Sequence, residues 1–566
     1  MLRFLLILCL LTFACKSVPD SKEVVSIEGK TVVVKNAGLA SAHPVATRIG
    51  TEILKIGGNA IDAAIATQFA LAVVYPVAGN IGGGGFMVIR MSDGSIDALD
   101  YREKAPEAAH RDMYLDDEGN VIQRLSIDGH LAVGVPGTVD GMVKAFEKYS
   151  ALKDWNALVQ PSIDVARNGF SITERQSKNF NSAMERWNQF NTSPNAFTAQ
   201  NEWAEGDLLK QPDLAKTLEA IRDHGEDGFY EGWVADSLVA EMKRSNGIIT
   251  NEDLMNYEAI WRKPIVGSYR GSEIISMPPP SSGGIALIQL LNILENYDLP
   301  SMGFHSTDAI HHVVEAERRV YADRATHLGD SDFYPVPQED LMKKDYAIER
   351  MESFDKSKAT LSSDISEGSF AKESEQTTHY SIIDDNGNAV SVTTTLNTGY
   401  GSKVVVGGAG FFLNNEMDDF SSKPGFPNFY GLIGNEGNSI QPGKRMLSSM
   451  TPTIVTQDGS VKIIVGTPGG STIITSVLQT IMNILDFDMT AAEAVAACRF
   501  HHQWTPDLVF QESECFNEEL QSSLSEMGHT IQSRGTIGKV ETILVNEEGF
   551  IEIAADPRGD DWSEGY

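Results

Sequence analysis

Thr377 lies where a polar stretch of the sequence meets a strand-like one, and this position suits a catalytic threonine. A threonine hydroxyl is hardly ionised near neutral pH, so it needs a base held against it before it can attack a carbonyl. A free α-amino group, whose ordinary pKa is about 7.7–8.0, can be that base. The amine exists only if the peptide bond after Gln376 is cut, which would give Thr377 both nucleophile and base. Taken alone, the junction is typical of an ordinary strand start.

The sequence on either side of Thr377 predicts the elements that would position it. Residues 361–376 are polar and poor in apolar side chains, so we expect an exposed, mobile linker. Residues 377–384 alternate like a strand, residues 385–388 predict a hairpin turn, and residues 389–396 form a β-rich partner. The linker would therefore deliver Thr377 to the first position of a sheet.

Other segments predict structural elements. Residues 51–74 predict a buried, alanine-rich helix with Asn59 as its N-cap. Four glycines at 82–85 precede a strand-like run at 86–90, and because no Gly-Lys-Ser/Thr follows, close backbone contact is favoured over a phosphate-binding loop. No repeat of fixed period occurs, which disfavours solenoids and propellers.

The middle third, residues 151–366, is mostly helical in pattern, with residues 310–328 as an amphipathic example. His312 and Glu315 share one face of that helix. Neither a His-Glu-x-x-His nor a His-x-x-Glu-His arrangement occurs, so we expect solvent-facing or capping residues rather than metal ligands.

A series of motifs in one order carries more information than any single residue. They are Asp100-Tyr101-Arg102-Glu103-Lys104-Ala105-Pro106, Pro279-Pro280-Ser281-Ser282-Gly283-Gly284, Thr377-Thr378-His379-Tyr380-Ser381, Asn414-Asn415-Glu416-Met417-Asp418-Asp419-Phe420, Pro424-Gly425-Phe426-Pro427-Asn428-Phe429-Tyr430-Gly431, Leu447-Ser448-Ser449-Met450-Thr451-Pro452, Pro468-Gly469-Gly470-Ser471, His501-His502-Gln503-Trp504 and Asp556-Pro557-Arg558. Together they closely resemble the γ-glutamyltransferase (γ-glutamyltranspeptidase) family of bacterial type. The resemblance implies an α+β fold, the four-layer αββα sandwich of N-terminal-nucleophile hydrolases.

The resemblance also implies catalytic roles. Thr377 matches the nucleophile that autocatalytic cleavage after Gln376 exposes, and Thr395 matches the threonine whose hydroxyl contacts and orients it. Gly469 and Gly470 match the oxyanion hole, where two consecutive glycines let backbone N–H groups face a developing negative charge. Outside this context, Thr395 is equally well explained by β-propensity and the glycines by a tight turn.

A γ-glutamyl group carries an α-carboxylate and an α-ammonium, so its pocket needs donors for one and acceptors for the other. The resemblance implies binding positions of three kinds. They are Arg102, Ser448 and Ser449 for the carboxylate, Asn397, Glu416 and Asp419 for the ammonium, and Tyr430 in a Pro- and Gly-rich lid. The lid, together with Asp419, favours γ-glutamyl substrates over cephalosporin side chains.

The implied function is that of an acyltransferase and hydrolase. Thr377 would form a γ-glutamyl-enzyme from glutathione or another γ-glutamyl amide, and water, an amino acid or a peptide would accept the acyl group. No metal or organic cofactor is needed. Residues 15–376 would form a large subunit and residues 377–566 a small one, a heterodimer of cleavage products folded as one intertwined domain.

Two other functions stay open on the sequence. A serine hydrolase could use Ser471 or Ser282, each beside a glycine pair, although no Gly-x-Ser-x-Gly elbow occurs. A non-catalytic lipoprotein could bind γ-glutamyl compounds with the same pocket residues and without Thr377.

The amino terminus predicts export. Residues 1–14 combine a basic start with the apolar run at 4–13, which is typical of an export signal. Ala14-Cys15 resembles a bacterial lipoprotein site, so Cys15 is a candidate lipid anchor, and release into the periplasm or medium after ordinary cleavage is the alternative. No later apolar stretch is long enough to predict a second membrane span.

The composition narrows the classes of partner that the protein is expected to bind. Lys and Arg number 45 against 78 Asp and Glu, and the resulting net charge of -33 disfavours nucleic acid and anionic lipid surfaces. Two cysteines outside the leader, Cys498 and Cys515, exclude a disulfide scaffold and a four-cysteine zinc site. Their spacing leaves open whether they pair. By length alone, 566 residues predict two to four domains of ordinary size.

Overall fold

The computed structural model describes residues 29–365 and 377–566. The predicted export signal, Cys15 and Gln376 lie outside the described residues. In chain order the strands are β1 (Thr31–Val34), β2 (Gly38–Ser41), β3 (Gly84–Arg90), β4 (Ile96–Asp100), β5 (Phe170–Ser171), β6 (Leu208–Leu209), β7 (Ile260–Arg262), β8 (Ile265–Tyr269), β9 (Ser272–Ser276), β10 (Thr378–Ile383), β11 (Ala389–Thr395), β12 (Thr453–Gln457), β13 (Ser460–Gly466), β14 (Phe500–His501), β15 (Val509–Glu512), β16 (Ile531–Arg534), β17 (Glu541–Val545), β18 (Ile551–Ala554) and β19 (Trp562–Gly565).

The α-helices are α1 (Pro44–Lys55), α2 (Ala60–Val74), α3 (Thr138–Tyr149), α4 (Trp155–Asn168), α5 (Glu174–Phe190), α6 (Pro212–His224), α7 (Asp227–Tyr230), α8 (Gly232–Lys243), α9 (Asn251–Met255), α10 (Gly283–Leu294), α11 (Leu299–Met302), α12 (Thr307–His327), α13 (Gln338–Leu341), α14 (Lys344–Arg350), α15 (Thr472–Leu485), α16 (Ala491–Ala496) and α17 (Glu518–Glu526). Helices therefore dominate the predicted helical middle third, although it also contains strands β5 to β9.

Two seven-stranded sheets form the centre of the fold. Sheet A has the order β1-β18-β17-β13-β12-β9-β8, and sheet B has the order β19-β2-β10-β11-β3-β4-β7. The sheets face each other where β10 and β11 contact β13. Helices α1 and α2 cover sheet B, and α10 and α15 cover sheet A. The predicted order of four layers, helix, sheet, sheet and helix, is confirmed.

The hairpin that follows Thr377 forms as predicted. Strands β10 and β11 pair antiparallel, from Thr378 opposite Thr394 to Ile383 opposite Ala389. Every residue of both strands is buried, since one face meets sheet A and the other lies under α2. Extending this register by one residue places Thr377 opposite Thr395, at the end of β11. The topology thus brings the two threonines of the predicted site together.

The predicted buried helix is α2, and Asn59 is its N-cap. The Asn59 side chain accepts hydrogen bonds from the backbone N–H groups of Ile61 and Asp62, and the Asp62 carboxylate accepts one from the backbone N–H of Asn59. All 15 residues of the helix are buried, which fits a helix that is apolar on every face. The glycines before β3 make the predicted close contacts, because a Cβ on Gly85 would lie 2.6 Å from the carbonyl oxygen of Thr393.

Two expectations about exposure are wrong. His312 and Glu315 are buried, because α12 packs against α10 and α17 and Glu315 forms ion pairs with Arg318 and Arg319. The charge of Glu315 is therefore neutralised by arginines of its own helix instead of facing solvent.

The prediction of an exposed linker is also wrong at two of its five described residues, whereas Leu361, Ser363 and Asp364 are exposed. Ser362 and Ile365 are buried, and the Nε1–H of Trp504 donates to both of their carbonyl oxygens. Residues 366–376, the rest of that predicted linker, lie outside the described residues.

Cys498 and Cys515, whose pairing the sequence left open, are joined by a disulfide bond. Over residues 29–365 and 377–566, no helix is both long enough and apolar enough to cross a membrane.

Candidate active site

A cavity opens where β10, β11 and the loops before β12 and α15 converge. Its walls contain most of the predicted site residues, although these come from widely separated stretches of sequence. They are Arg102, Thr377, Thr395, Asn397, Glu416, Asp419, Tyr430, Ser448, Ser449 and Gly470. Gly469, the remaining predicted catalytic position that is described, precedes Gly470 and does not line the wall.

Thr377 and Thr395, the predicted nucleophile and the threonine predicted to orient it, both line the cavity. Thr377 is buried, and Thr395 Oγ accepts a hydrogen bond of 2.7 Å from the backbone N–H of Asn397. Because that bond uses a lone pair of the Thr395 oxygen, the hydroxyl proton stays available for donation. The Thr395 hydroxyl proton is therefore available for the predicted contact with Thr377 Oγ.

Gly469 and Gly470, the predicted oxyanion hole, lie just before α15. Gly470 has φ +56°, a left-handed conformation that suits glycine, and its N–H lies at the positive end of the helix. Thr472 and Ile473 donate their backbone N–H groups to the carbonyl oxygens of Gly469 and Gly470. Among the described residues neither glycine N–H donates a hydrogen bond, so both are free for a substrate oxyanion.

Arg102 is the centre of a buried charge cluster. Its guanidinium forms ion pairs with Glu416 and with Asp419, the latter at 2.6 Å, and Glu103 lies 3.8 Å away. Burial raises the pKa of Glu416 well above its usual range and that of Glu103 to about 8, while the charge of Arg102 opposes both shifts. Burial likewise raises the pKa of Asp419. One guanidinium cannot balance three carboxylates, so the cluster retains a proton near neutral pH.

Two buried acceptors mark the predicted ammonium site. Within the described part of the chain, Asn397 Oδ1 and Glu416 Oε2 have no hydrogen-bond partner. Buried acceptors without partners are costly, and both residues line the cavity. A ligand ammonium with three N–H donors would satisfy them.

The predicted carboxylate-binding serines are joined by a residue that the sequence analysis missed. Arg324 lines the cavity, and its Nη2–H donates to Ser449 Oγ at 3.0 Å while its Nε–H donates to Ser282 Oγ at 2.9 Å. Burial lowers the pKa of Arg324 to about 10. No local signal distinguishes it, because it is one of several charged residues on α12.

Tyr430, the predicted lid residue, lies in the wall of the cavity. Its hydroxyl donates to the carbonyl oxygen of Asn397, and its ring lies against Gly470. Two acids hold the same loop, since Asp419 Oδ1 accepts from Asn428 Nδ2 at 3.0 Å and Asp418 Oδ2 accepts from the backbone N–H of Phe429 at 2.8 Å.

Asp418 should make stability depend on pH. Burial raises its pKa to about 7, above the value of about 4 in an unfolded chain. Between these two pH values the folded protein binds more protons than the unfolded chain, so stability falls as the pH rises through this window. We expect Asp418→Asn, which cannot ionise, to show a smaller fall in melting temperature than the parent between about pH 5 and about pH 8.

Asp116→Asn is the control for this measurement. Asp116 is an exposed acid, and hydrogen bonding to the Asn120 backbone lowers its pKa. Its substitution should leave the fall in melting temperature unchanged. An equal fall in the Asp418→Asn variant and the parent would contradict the assignment to Asp418.

Metal-ligand chemistry has little support in the described residues. His311, Glu315 and His529 place ligand atoms within 4.8 Å of one another, but Glu315 is already paired with two arginines. In a second group, His305 lies beside Cys498 and Cys515, whose sulfurs are bonded to each other.

The serine-hydrolase alternative lacks a catalytic arrangement. Neither Ser471 nor Ser282 lines the cavity. Ser471 Oγ donates to Gln503 and lies 3.5 Å from His501 Nε2, but the other ring nitrogen of His501 bonds the hydroxyl of Thr475. A serine triad needs an acid at that second nitrogen.

Comparison with known proteins agrees with this geometry. A family model described as Gamma-glutamyltranspeptidase matches residues 46–566. The chain belongs to the γ-glutamyltranspeptidase family. It is 47% identical over 539 residues to the glutathione hydrolase proenzyme of Escherichia coli (strain K12), with 94% of this chain and 93% of that protein covered.

Solved structures of similar fold agree with this family assignment. The γ-glutamyltranspeptidase of Helicobacter pylori is 49% identical with a TM-score of 0.57, covering 58% of this chain and 94% of that one. A cephalosporin acylase from Bacillus halodurans is 27% identical with a TM-score of 0.83, covering 97% and 99%. The predicted family and the αββα sandwich of N-terminal-nucleophile hydrolases are confirmed. The protein is a γ-glutamyltransferase, and the non-catalytic alternative is not favoured.

Proposed function

We propose that the chain matures by cleavage between Gln376 and Thr377, and that Thr377 then forms a γ-glutamyl-enzyme from glutathione. The cavity supports this proposal. Thr377 and Thr395 line it together with buried acceptors that an ammonium group could satisfy. The relative from Escherichia coli is named a glutathione hydrolase proenzyme, which supports both glutathione as donor and processing of a precursor.

The α-amino and α-carboxyl groups of the donor are bound apart from the reacting carbonyl. Asn397 Oδ1 and Glu416 Oε2 accept from the ammonium, and Asp419 adds negative charge beside them. Arg102, Ser448 and Ser449 receive the carboxylate. The γ-carbonyl then extends toward Thr377, so binding a zwitterion at one end orients the amide at the other.

Acylation follows from the groups around Thr377. Its Oγ attacks the γ-carbonyl carbon, and its own α-amine takes the hydroxyl proton. The N–H groups of Gly469 and Gly470 stabilise the oxyanion, and the protonated amine then gives its proton to the departing amine of the donor. The γ-glutamyl ester on Thr377 is released to water, or to the amine of an amino acid or peptide.

Cleavage leaves the two products within one fold. Residues 15–376 form the large subunit and residues 377–566 the small one, and each sheet contains strands from both sides of the cleavage point. The heterodimer is therefore held by two complete sheets and not by a surface contact.

Denaturing gel separation of the purified protein, with N-terminal sequencing of each band, tests this function. We expect a smaller band that begins Thr-Thr-His-Tyr-Ser, together with release of glutamate from glutathione. A chain that stays uncut on long incubation would lack the proposed base and would contradict the proposal.

We also propose that the protein is exported, either as a periplasmic protein or as a lipoprotein anchored through Cys15. The basic and apolar character of residues 1–14 supports export. Mass analysis of the mature amino terminus distinguishes the two forms, because only an anchored protein begins with a lipid-modified Cys15.

A further inference from the structure

Arg324 differs from the other buried arginines near the cavity in its partners. Arg102, Arg318 and Arg319 each form an ion pair with a carboxylate. Arg324 is only 4% exposed, and among the described residues no carboxylate lies within ion-pair distance of it. Its two hydrogen bonds go to serine hydroxyls, Ser449 Oγ and Ser282 Oγ.

A buried cation without a paired anion is unfavourable unless something compensates it. Asp419 contributes a favourable charge, but its carboxylate bonds to Arg102 and to Asn428. Ser282 cannot supply the missing charge, and its own hydroxyl donates to the carbonyl oxygen of Ser448 at 2.6 Å. The site is thus built with one positive charge that the protein leaves unpaired beside the cavity.

The hydrogen bond from Arg324 also fixes the direction of the Ser449 hydroxyl. Ser449 Oγ accepts from Nη2, so one lone pair of the oxygen points at Arg324 and the hydroxyl proton must point elsewhere. Both residues line the cavity, which gives that proton a direction into it. An anion in the cavity would receive a hydrogen bond that the neighbouring cation strengthens.

Arg102 cannot supply this charge unaided. It is shared by Glu416 and Asp419, so its charge is already matched before a ligand enters. An incoming α-carboxylate would therefore meet a guanidinium whose charge is already shared by two acids. A second cation on the side of the serines supplies a charge that those acids do not share.

We propose that Arg324 is a positioning residue for the α-carboxylate of the donor, holding the Ser449 hydroxyl toward it and compensating its charge. This inference rests on the proposed function, because it takes the zwitterionic γ-glutamyl group as the occupant of the cavity. It makes recognition of the donor depend on two arginines with different tasks. Arg102 binds the carboxylate although its charge is shared by the acids of the ammonium side, and Arg324 adds an unshared charge beside the serines.

The test compares three competitive inhibitors of γ-glutamyl anilide hydrolysis. L-Glutamate has both α-groups, glutarate lacks the ammonium, and 4-aminobutanoate lacks the α-carboxylate. We expect Arg324→Lys to raise the inhibition constants of L-glutamate and glutarate roughly tenfold, and Arg324→Gln to raise them about a hundredfold. The constant for 4-aminobutanoate should stay within about twofold of the parent value.

Arg319→Lys is the matched control, because Arg319 is a buried arginine of the same helix that does not line the cavity. It should leave the ratio of the three constants unchanged. Arg324→Lys keeps the charge and provides a variant that folds if Arg324→Gln does not.

An equal shift for all three inhibitors, or no shift, would overturn the role of Arg324. If the parent enzyme hydrolyses the anilide in that case, the proposed function stands and only this inference fails. A parent protein that neither hydrolyses the anilide nor distinguishes the three ligands would overturn both.

Discussion

Replacing Thr377 with alanine should give a full-length chain without γ-glutamyltransferase activity. The substitution removes the only proposed nucleophile for both self-cleavage and acyl transfer, and an uncut chain also lacks the α-amine that would act as base. Removal of a nucleophile typically lowers kcat by about a millionfold. Gel separation and an assay of γ-glutamyl anilide hydrolysis on the same preparation measure both effects.

Thr377→Ser is the control for this prediction. It keeps a hydroxyl and, after cleavage, an α-amine, so we expect a cut chain with measurable activity. A similar melting temperature for the uncut Thr377→Ala chain would show that the fold is intact, since Thr377 precedes β10 and forms none of its strand pairs. A Thr377→Ala chain that still separates into two bands would contradict the role of Thr377 in cleavage.

Local features of the fold were predictable from the sequence for physical reasons. The hairpin of β10 and β11 follows from alternating side chains and an Asp-Asn-Gly-Asn turn, both of which act within a few residues. The start of α2 follows from Asn59, whose side chain satisfies N–H groups within the next three residues. Such signals do not depend on the rest of the chain.

Burial of charged residues was not predictable, because it depends on partners far along the chain. On α12, Arg318 bonds Ser362, while Glu315 accepts from Thr360 and from Arg319 of its own helix. The sequence shows an amphipathic helix, and the polar face of such a helix is ordinarily solvent-exposed. The same limit explains why Ser362 was placed in an exposed linker.

The candidate site was likewise predictable only in part. Motif order predicted which residues line the cavity, but not how they are connected. That Arg102 is shared by Glu416 and Asp419, and that Arg324 bonds Ser449, are facts of three-dimensional placement. The sequence spacing does not show that these side chains are in contact, since the residues are separated by more than a hundred positions.

The interleaving of strands connects the fold with maturation. In sheet B, β10 and β11 lie between β2 and β3, so the segment after Thr377 is paired with earlier strands on both sides. A cut before Thr377 breaks none of these described pairs, and separation of the products would require breaking both sheets. The chain can therefore gain a new amino terminus at the cavity without losing the scaffold that positions it.

Substituting Gly470 with alanine should give the second largest loss of activity. Gly470 has φ +56°, and a Cβ there would overlap the ring of Tyr430. Either the lid or the turn before α15 must move, and displacement of the oxyanion donors or of the closed lid raises the barrier to acylation. We expect kcat for γ-glutamyl anilide hydrolysis to fall by about 10²–10³-fold, the loss that follows removal of one oxyanion donor.

Gly459→Ala separates this effect from backbone strain alone. Gly459 has φ +78°, also left-handed, but nothing lies within 4 Å of a Cβ built there, in the turn between β12 and β13. It should lower the melting temperature and leave kcat nearly unchanged. Adding Tyr430→Ala to Gly470→Ala removes the overlap. If the direction of the backbone N–H at position 470 determines kcat, the double variant should regain part of the kcat that Gly470→Ala loses. Equal kcat losses for Gly470→Ala and Gly459→Ala would instead assign the effect to strain, and the oxyanion role of this turn would lose its support.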